Sequence, residues 1–258
     1  MPFIFICAIV GLWLGGTTGL LLGAAIGFAI SRIAQASVRR GLLLVQSQFL
    51  ESTFAVMGAL CKADGVVTHE EIRVTEEMFV RLRLTPELKD VAKAAFNRGK
   101  GADFDLDAEV DKLLLATRGG GELLQLFLQL QLSAVAADGQ VHPAERAMLV
   151  RVARRLGLGE ADVARLEALL RAAAGGAAAA GGGPPPKQRL DDAYAALGVT
   201  PEATEAEIKR AYRKLMSENH PDKLMAKGLP DSMRQLAEER AREINVAYDL
   251  IRKARQFS

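Results

Sequence analysis

The chain holds 258 residues, 50% of them hydrophobic and 25% charged, a globular composition long enough for two modest domains. Its net charge is +2 and no block is strongly basic, residues 187–258 carrying 14 basic against 12 acidic side chains, which excludes nucleic acid as the default partner. Cys7 and Cys61 lie in different segments and supply neither a disulfide framework nor a C-x-x-C zinc pair, so a reducing compartment fits.

The first predicted element is a membrane anchor. Phe3 to Ile30 contains no charged residue; as a helix the run extends about 42 Å, against a hydrocarbon core of about 30 Å. Residues 1–31 are therefore read as a single transmembrane helix in a lipid bilayer. The rival reading is a cleavable signal peptide ending at Ala34-Gln35-Ala36, but MPFIF carries no basic n-region and the apolar run is too long. Arg32, Arg39 and Arg40 all lie beyond the run and none precedes it, which leaves the short N-terminus outside and everything after residue 31 in the cytoplasm. Within the run, Gly11, Gly15, Gly19, Gly23 and Gly27 recur at every fourth position. In water each glycine inside a helix costs about 1 kcal/mol relative to alanine. In lipid a stripe without side chains lets a second helix approach backbone to backbone, so the ladder predicts a homodimer through this helix. The plainer reading is that glycine is common in membrane helices.

Residues 32–173 are predicted to be helices joined by short turns, because apolar positions recur at helical spacing in GLLLVQSQFLESTFAVMGALC, EEIRVTEEMFVRL, GELLQLFLQLQLSAVAA and AERAMLVRVARRL. An internal echo lies inside this block. KADGVVTHEEI at 62–72 and AADGQVHPAER at 136–146 align Asp64 with Asp138, Gly65 with Gly139 and Glu71 with Glu145. The carboxylates can be read as converging on a cation, but helix punctuation accounts for every residue. Thr68 with Glu71 is a capping box, and His142, Pro143 and Glu145 supply an N-cap, an N1 proline and an N3 acid. The alternating acidic pattern of a calcium loop is absent, and no metal site is assigned. His69 and His142 are one position out of register in the two copies and are read as capping or exposed. In wording and spacing the echo resembles the TerB-like helical domain, which implies a helical bundle more firmly than an activity.

Residues 174–188 lie within AAAGGAAAAGGGPPP and its flank, a low-complexity stretch read as a flexible Gly/Ala/Pro linker that lets the C-terminal region move independently.

Residues 189–258 contain three helical patterns and one unusual loop. LDDAYAALGV ends at Gly198, a good C-cap residue. The second pattern starts at Thr204, with Glu207 completing a capping box. At 100° per residue its Ile208, Ala211, Tyr212 and Leu215 share one arc, while Lys209, Arg210, Arg213 and Lys214 share the opposite one. In the third pattern Ala237, Ala241, Ile244, Tyr248 and Ile251 form an apolar seam suited to packing on the second. Between them lies His220-Pro221-Asp222-Lys223. Proline pushes the residue before it out of the α region, so the second helix ends near Asn219 and His220 and Asp222 stand on a rigid turn. A histidine and an aspartate this close invite a hydrolase reading, but no Ser or Cys nucleophile accompanies them and an exposed tip excludes no water.

YAALGV, a basic-faced helix, HPDK and an apolar-seamed helix together resemble the J-domain. That resemblance implies a co-chaperone of a DnaK-type chaperone ATPase. His220, Pro221 and Asp222 would be the trigger, Lys209, Arg210, Arg213 and Lys214 the docking face, and Lys223 a further partner-binding residue. The ATP chemistry would belong to the partner, so the chain would be no enzyme and would need no cofactor. Cysteine-rich zinc repeats and a Gly/Phe-rich segment are missing, which puts client binding of the DnaJ kind in doubt. The order of parts is similar to that of membrane-anchored J-domain co-chaperones of the bacterial inner membrane, with a periplasmic N-terminus. By that resemblance the middle domain would choose a client or signalling partner, with a role in envelope stress. The expected fold is all-α, with a transmembrane helix, a TerB-like bundle, a linker and a J-domain hairpin. The alternative from another class is a membrane-tethered metal or stress sensor built on Asp64, Glu71, Asp138 and Glu145.

Overall fold

The structure, a computed structural model, describes residues 2–63, 69–136, 142–177 and 186–257. Among the described residues the chain is all-α with no strand. The helices are α1 (Pro2–Cys61), α2 (His69–Arg81), α3 (Pro86–Gly99), α4 (Leu106–Thr117), α5 (Gly121–Val135), α6 (Pro143–Arg155), α7 (Glu160–Ala177), α8 (Pro186–Leu197), α9 (Glu205–Glu218), α10 (Pro221–Ala226) and α11 (Arg234–Arg255). The chain forms two compact units, Met1–Val45 and Gln46–Ser258.

In the first unit, α1 is the one helix among the described residues long and apolar enough to cross a membrane. Trp13, Leu14, Leu21, Leu22 and Phe28 all point outward. The helix is not continuous along the glycine ladder. Gly15 (φ −147°, ψ 21°) and Gly16 (φ 60°, ψ −142°) leave helical geometry, and the Thr18 hydroxyl donates to the Gly15 carbonyl at 2.9 Å. Two adjacent glycines make this reversal cheap, since Gly16 sits at a positive φ that a side chain would strain. The arm before Gly15 returns along the helix so closely that a Cβ on Gly23 would lie 2.1 Å from the Cys7 carbonyl oxygen. The uninterrupted helix expected for residues 3–30 is thus a helix broken at Gly15 and Gly16.

The second unit begins with the last turns of α1. Phe49, Phe54, Met57 and Leu60 are fully buried and meet Phe79 of α2, Leu82 just past its end, Leu113 of α4, Leu123 and Phe127 of α5 and Leu149 of α6 in one apolar core. Phe49 meets Phe127 edge to face with centroids 6.2 Å apart, and Phe54 tilts against Phe79 at 5.1 Å, the offset arrangements aromatic quadrupoles favour. Where α1 crosses α3 the backbones touch. A Cβ on Gly58 would lie 2.2 Å from the Phe96 carbonyl oxygen, and one on Gly99 would lie 1.8 Å from that of Ala55. Glu109 of α4, 2% exposed, is held beside this crossing by the Ser52 hydroxyl at 3.0 Å, Gln48 at 3.3 Å, Arg98 at 3.2 Å and Lys112 at 3.2 Å. Three donors on Oε1 and one on Oε2 replace the water this carboxylate loses, which is what allows it to be buried.

The second copy of the internal echo punctuates helices as read from the sequence. His142 is the N-cap of α6, its Nδ1 accepts the Ala144 N–H, and Glu145 accepts the His142 N–H at 2.8 Å. Asp64, Thr68 and Asp138, like the side chains of His69 and Glu71, lie outside the described residues. Of the expected linker, residues 178–185 likewise lie outside them, while α7 reaches Ala177 and α8 starts at Pro186.

Residues 186–257 form a second core from Ala193, Tyr194, Leu197, Ile208, Leu215, Ile244, Ala247 and Ile251, and Leu169 of α7 is part of it. Gly198 closes α8 at φ +69°, and Thr204 and Glu207 form the expected capping box of α9. Tyr212 stacks on Tyr248 at 4.1 Å and donates its hydroxyl proton to Asn245 at 2.7 Å, joining α9 to α11. This region does not stand apart from the rest of the second unit. It packs on the preceding helices within one compact unit, and Arg171 of α7 donates to Asp192 of α8 at 3.0 Å.

Candidate partner-docking site

The site is built on α9, the turn after it and the start of α10. Burying Ile208 and Leu215 turns the opposite side of α9 outward, and Arg210, Arg213 and Lys214 are exposed there. Lys209 behaves differently from the other three. Half-buried, it pairs with Glu205 at 2.7 Å and lies 5.7 Å from the centre of the Phe257 ring. Lys214 reaches Glu218 only at 4.0 Å, and Arg213 donates to the Lys209 carbonyl at 3.2 Å, so both keep charge for a partner.

His220 is the N-cap of α10, with Pro221 at the first helical position, where a missing N–H costs nothing. The His220 ring accepts the Asp222 N–H at Nδ1, 3.2 Å away, and the Asp222 carboxylate accepts from Arg234 at 2.8 Å. Asp222 therefore faces Arg234 instead of orienting the imidazole. The catalytic couple in which an acid fixes a general base is not formed, which removes the geometric ground for a hydrolase. His220 and Asp222 are both exposed, on a turn fixed from behind.

That support comes from a pair the sequence reading passed over. Asn219 is 0% exposed, donates to the Leu215 carbonyl at 2.8 Å, and its Oδ1 accepts from Arg240 of α11. Arg240 is itself 3% exposed. Desolvation lowers its pKa to about 10, opposed by the nearby Glu243, so it stays charged at neutral pH. Burial in turn raises the pKa of Glu243, which accepts from Gln129 of α5 at 2.5 Å. The signal was present in the sequence: position 240 falls three residues after Ala237 and four before Ile244, on the apolar seam, where a charged side chain needs a partner.

Lys223 points elsewhere than the docking face of α9. It lies 3.6 Å from Glu122, the second residue of α5, and Lys227 lies 2.5 Å from the same carboxylate. The hydrogen bond from Lys227 holds the Glu122 carboxyl below its ordinary pKa, against the opposing effect of burial. Among the described residues no group of three or more His, Cys, Asp or Glu comes together in a way that could hold a metal ion.

A domain with a histidine-capped turn, a basic helix face and a separate core, attached to a helical bundle and an apolar N-terminal helix, belongs to the class of J-domain co-chaperones. The family model for the DnaJ domain matches residues 192–256, and that for tellurite resistance protein TerB matches residues 51–168. Known relatives narrow the class. Co-chaperone protein DjlA of Vibrio cholerae is 43% identical over 222 residues, covering 81% of this chain and 78% of the relative. DjlA of Shewanella oneidensis is 39% identical over 243 residues, covering 94% and 89%, and that of Coxiella burnetii 37% over 257 residues, covering 96% and 95%. The chain belongs to the DjlA co-chaperone family. No solved structure matches it.

Proposed function

We propose that the chain is a membrane-anchored co-chaperone that binds a DnaK-type ATPase through its J-domain and stimulates ATP hydrolysis there. The observation that carries this reading is the exposed His220-Pro221-Asp222 turn, rigidly backed by Asn219 and Arg240 and set beside Arg210, Arg213 and Lys214. Such a surface complements an acidic patch that bears a cation for Asp222. Charge complementarity of this kind favours fast, salt-sensitive association over tight binding. Lys209 contributes from the flank, and Lys223 joins once it is free of Glu122.

Residues 1–31 anchor the chain in the bacterial inner membrane, with a short periplasmic N-terminus and the folded domains in the cytoplasm, as the arginines after the apolar run favour. Two chains pair along Gly11, Gly15, Gly19, Gly23 and Gly27. Both the crossing and the pairing require the reversal at Gly15 and Gly16 to straighten, because the returning arm occupies Gly23. The TerB-like domain selects a client or signalling partner, with a role in envelope stress.

The deciding measurement is single-turnover ATP hydrolysis by DnaK with the full chain in lipid nanodiscs, wild type against His220→Gln. Wild type accelerates hydrolysis and the variant loses most of that acceleration. No acceleration by wild type overturns the co-chaperone reading, and acceleration that survives the substitution removes His220 as the trigger.

A further inference from the structure

The J-domain carries two kinds of buried apolar side chain. Ile208, Leu215, Ile244 and Ile251 belong to its own core. Leu224, Leu229, Met233, Leu236 and Ala237, all at most 5% exposed, belong instead to the core of the TerB-like domain. Leu236 sits with Leu126, Gln129 and Leu130 of α5 around a small crevice that Arg81 and Glu239 also line. On a separated J-domain these five side chains would form an apolar patch directly after the His-Pro-Asp turn, a state water penalises.

Polar contacts ring this patch. Arg81 Nε donates to Glu239 at 2.9 Å, Gln129 to Glu243 at 2.5 Å and Gln46 to the Leu229 carbonyl at 3.3 Å. Nearest the functional turn is Glu122, which holds Lys223 at the start of α10 and Lys227 just past its end. The covered half of the J-domain surface therefore adjoins the free half, His220, Asp222, Arg210, Arg213 and Lys214, which stays exposed.

We propose that the TerB-like domain restrains its own J-domain, with Glu122 occupying Lys223 and Lys227 beside the His-Pro-Asp turn so that an acidic partner docking on α9 must compete with Glu122 for them. The inference rests on the co-chaperone reading above. The competition is electrostatic in origin. A partner surface that attracts Arg210, Arg213 and Lys214 is negative, so it is repelled by Glu122 and deprived of two cations that Glu122 neutralises. The restraint lowers apparent affinity and leaves the triggering step, carried by His220 and Asp222, unaltered. Because Glu122 is on the domain proposed to select clients, a ligand on α5 that draws this carboxylate away would release both lysines.

The experiment compares full-length wild type, Glu122→Gln and His220→Gln in nanodiscs, titrated into DnaK under single-turnover conditions at low and high salt. Removing the partly exposed Glu122 carboxylate, and with it both ion pairs, lowers the half-maximal concentration about two- to fivefold, with the maximal rate unchanged. The gain shrinks at high salt, because it comes from charge. Hydrogen exchange over residues 221–237 checks that the glutamine variant keeps the domains packed. An unchanged or raised half-maximal concentration overturns the restraint. A lower maximal rate also overturns it, since Glu122 would then be holding the turn in its productive position. No stimulation by wild type is a different failure, that of the co-chaperone reading itself, and stimulation that survives His220→Gln removes only His220 as the trigger.

Discussion

Arg240 places a guanidinium where the seam of α11 otherwise carries Ile244, Ala247 and Ile251, and its burial is tolerable because Asn219 and Glu243 face it. It fixes Asn219, the C-cap of α9, hence the direction in which His220 leaves that helix. Arg240→Ala leaves the Asn219 oxygen without a donor and the half-buried Glu243 with less positive charge nearby, at a cost of about 1–3 kcal/mol. A urea melt of the variant shows a lower midpoint, and stimulation of DnaK falls with it. A midpoint equal to wild type would show that the pair is not holding the turn. Residue identity alone named His220, Pro221 and Asp222 because proline next to a helix end has only one backbone outcome. It did not name Asn219, since nothing local marks an asparagine as buried until α11 is placed beside it.

At the scale of elements, the helices were legible from apolar periodicity and caps, and Thr204 with Glu207 and His142 with Glu145 close their helices as their spacing requires. The way helices cross was not legible. Gly58 and Gly99 are separated by 41 positions, and neither belongs to a repeated pattern, yet they face opposite backbones where α1 crosses α3. Gly99→Ala pushes its methyl group into the Ala55 carbonyl and forces the helices apart, costing about 1–3 kcal/mol. Differential scanning calorimetry shows a Tm lower by several degrees. Gly41→Ala, with nothing within 4 Å of the added carbon, is neutral or slightly stabilising in the same measurement. Equal effects at the two sites would mean that the close crossing is not what requires glycine.

For the whole molecule, the glycine ladder and the two packed domains bear on one question, how the J-domain is presented to its partner. The dimer proposed along the ladder would bring two J-domains to one place on the membrane. Leucine at Gly15, Gly19 and Gly23 leaves insertion intact, because apolar length is unchanged, and weakens self-association in a membrane reporter assay. At Gly23 the leucine also evicts the arm that carries Cys7 in the single chain. Association equal to wild type would reduce the ladder to a lipid-facing stripe.

The all-helical class, the apolar anchor, the TerB-like and J-domain segments and the His-Pro-Asp turn could all be read from the order of residues. Each of these is written in a period, a cap or a contiguous motif. Folding in three dimensions was needed to reverse the helix at Gly15 and Gly16, to set Asn219 and Arg240 behind the turn, and to bring Glu122 across to Lys223 and Lys227. The contacts of Arg240 and Glu122 join residues about 20 to 105 positions apart, and long-range pairing depends on which faces pack together, a choice no local pattern encodes.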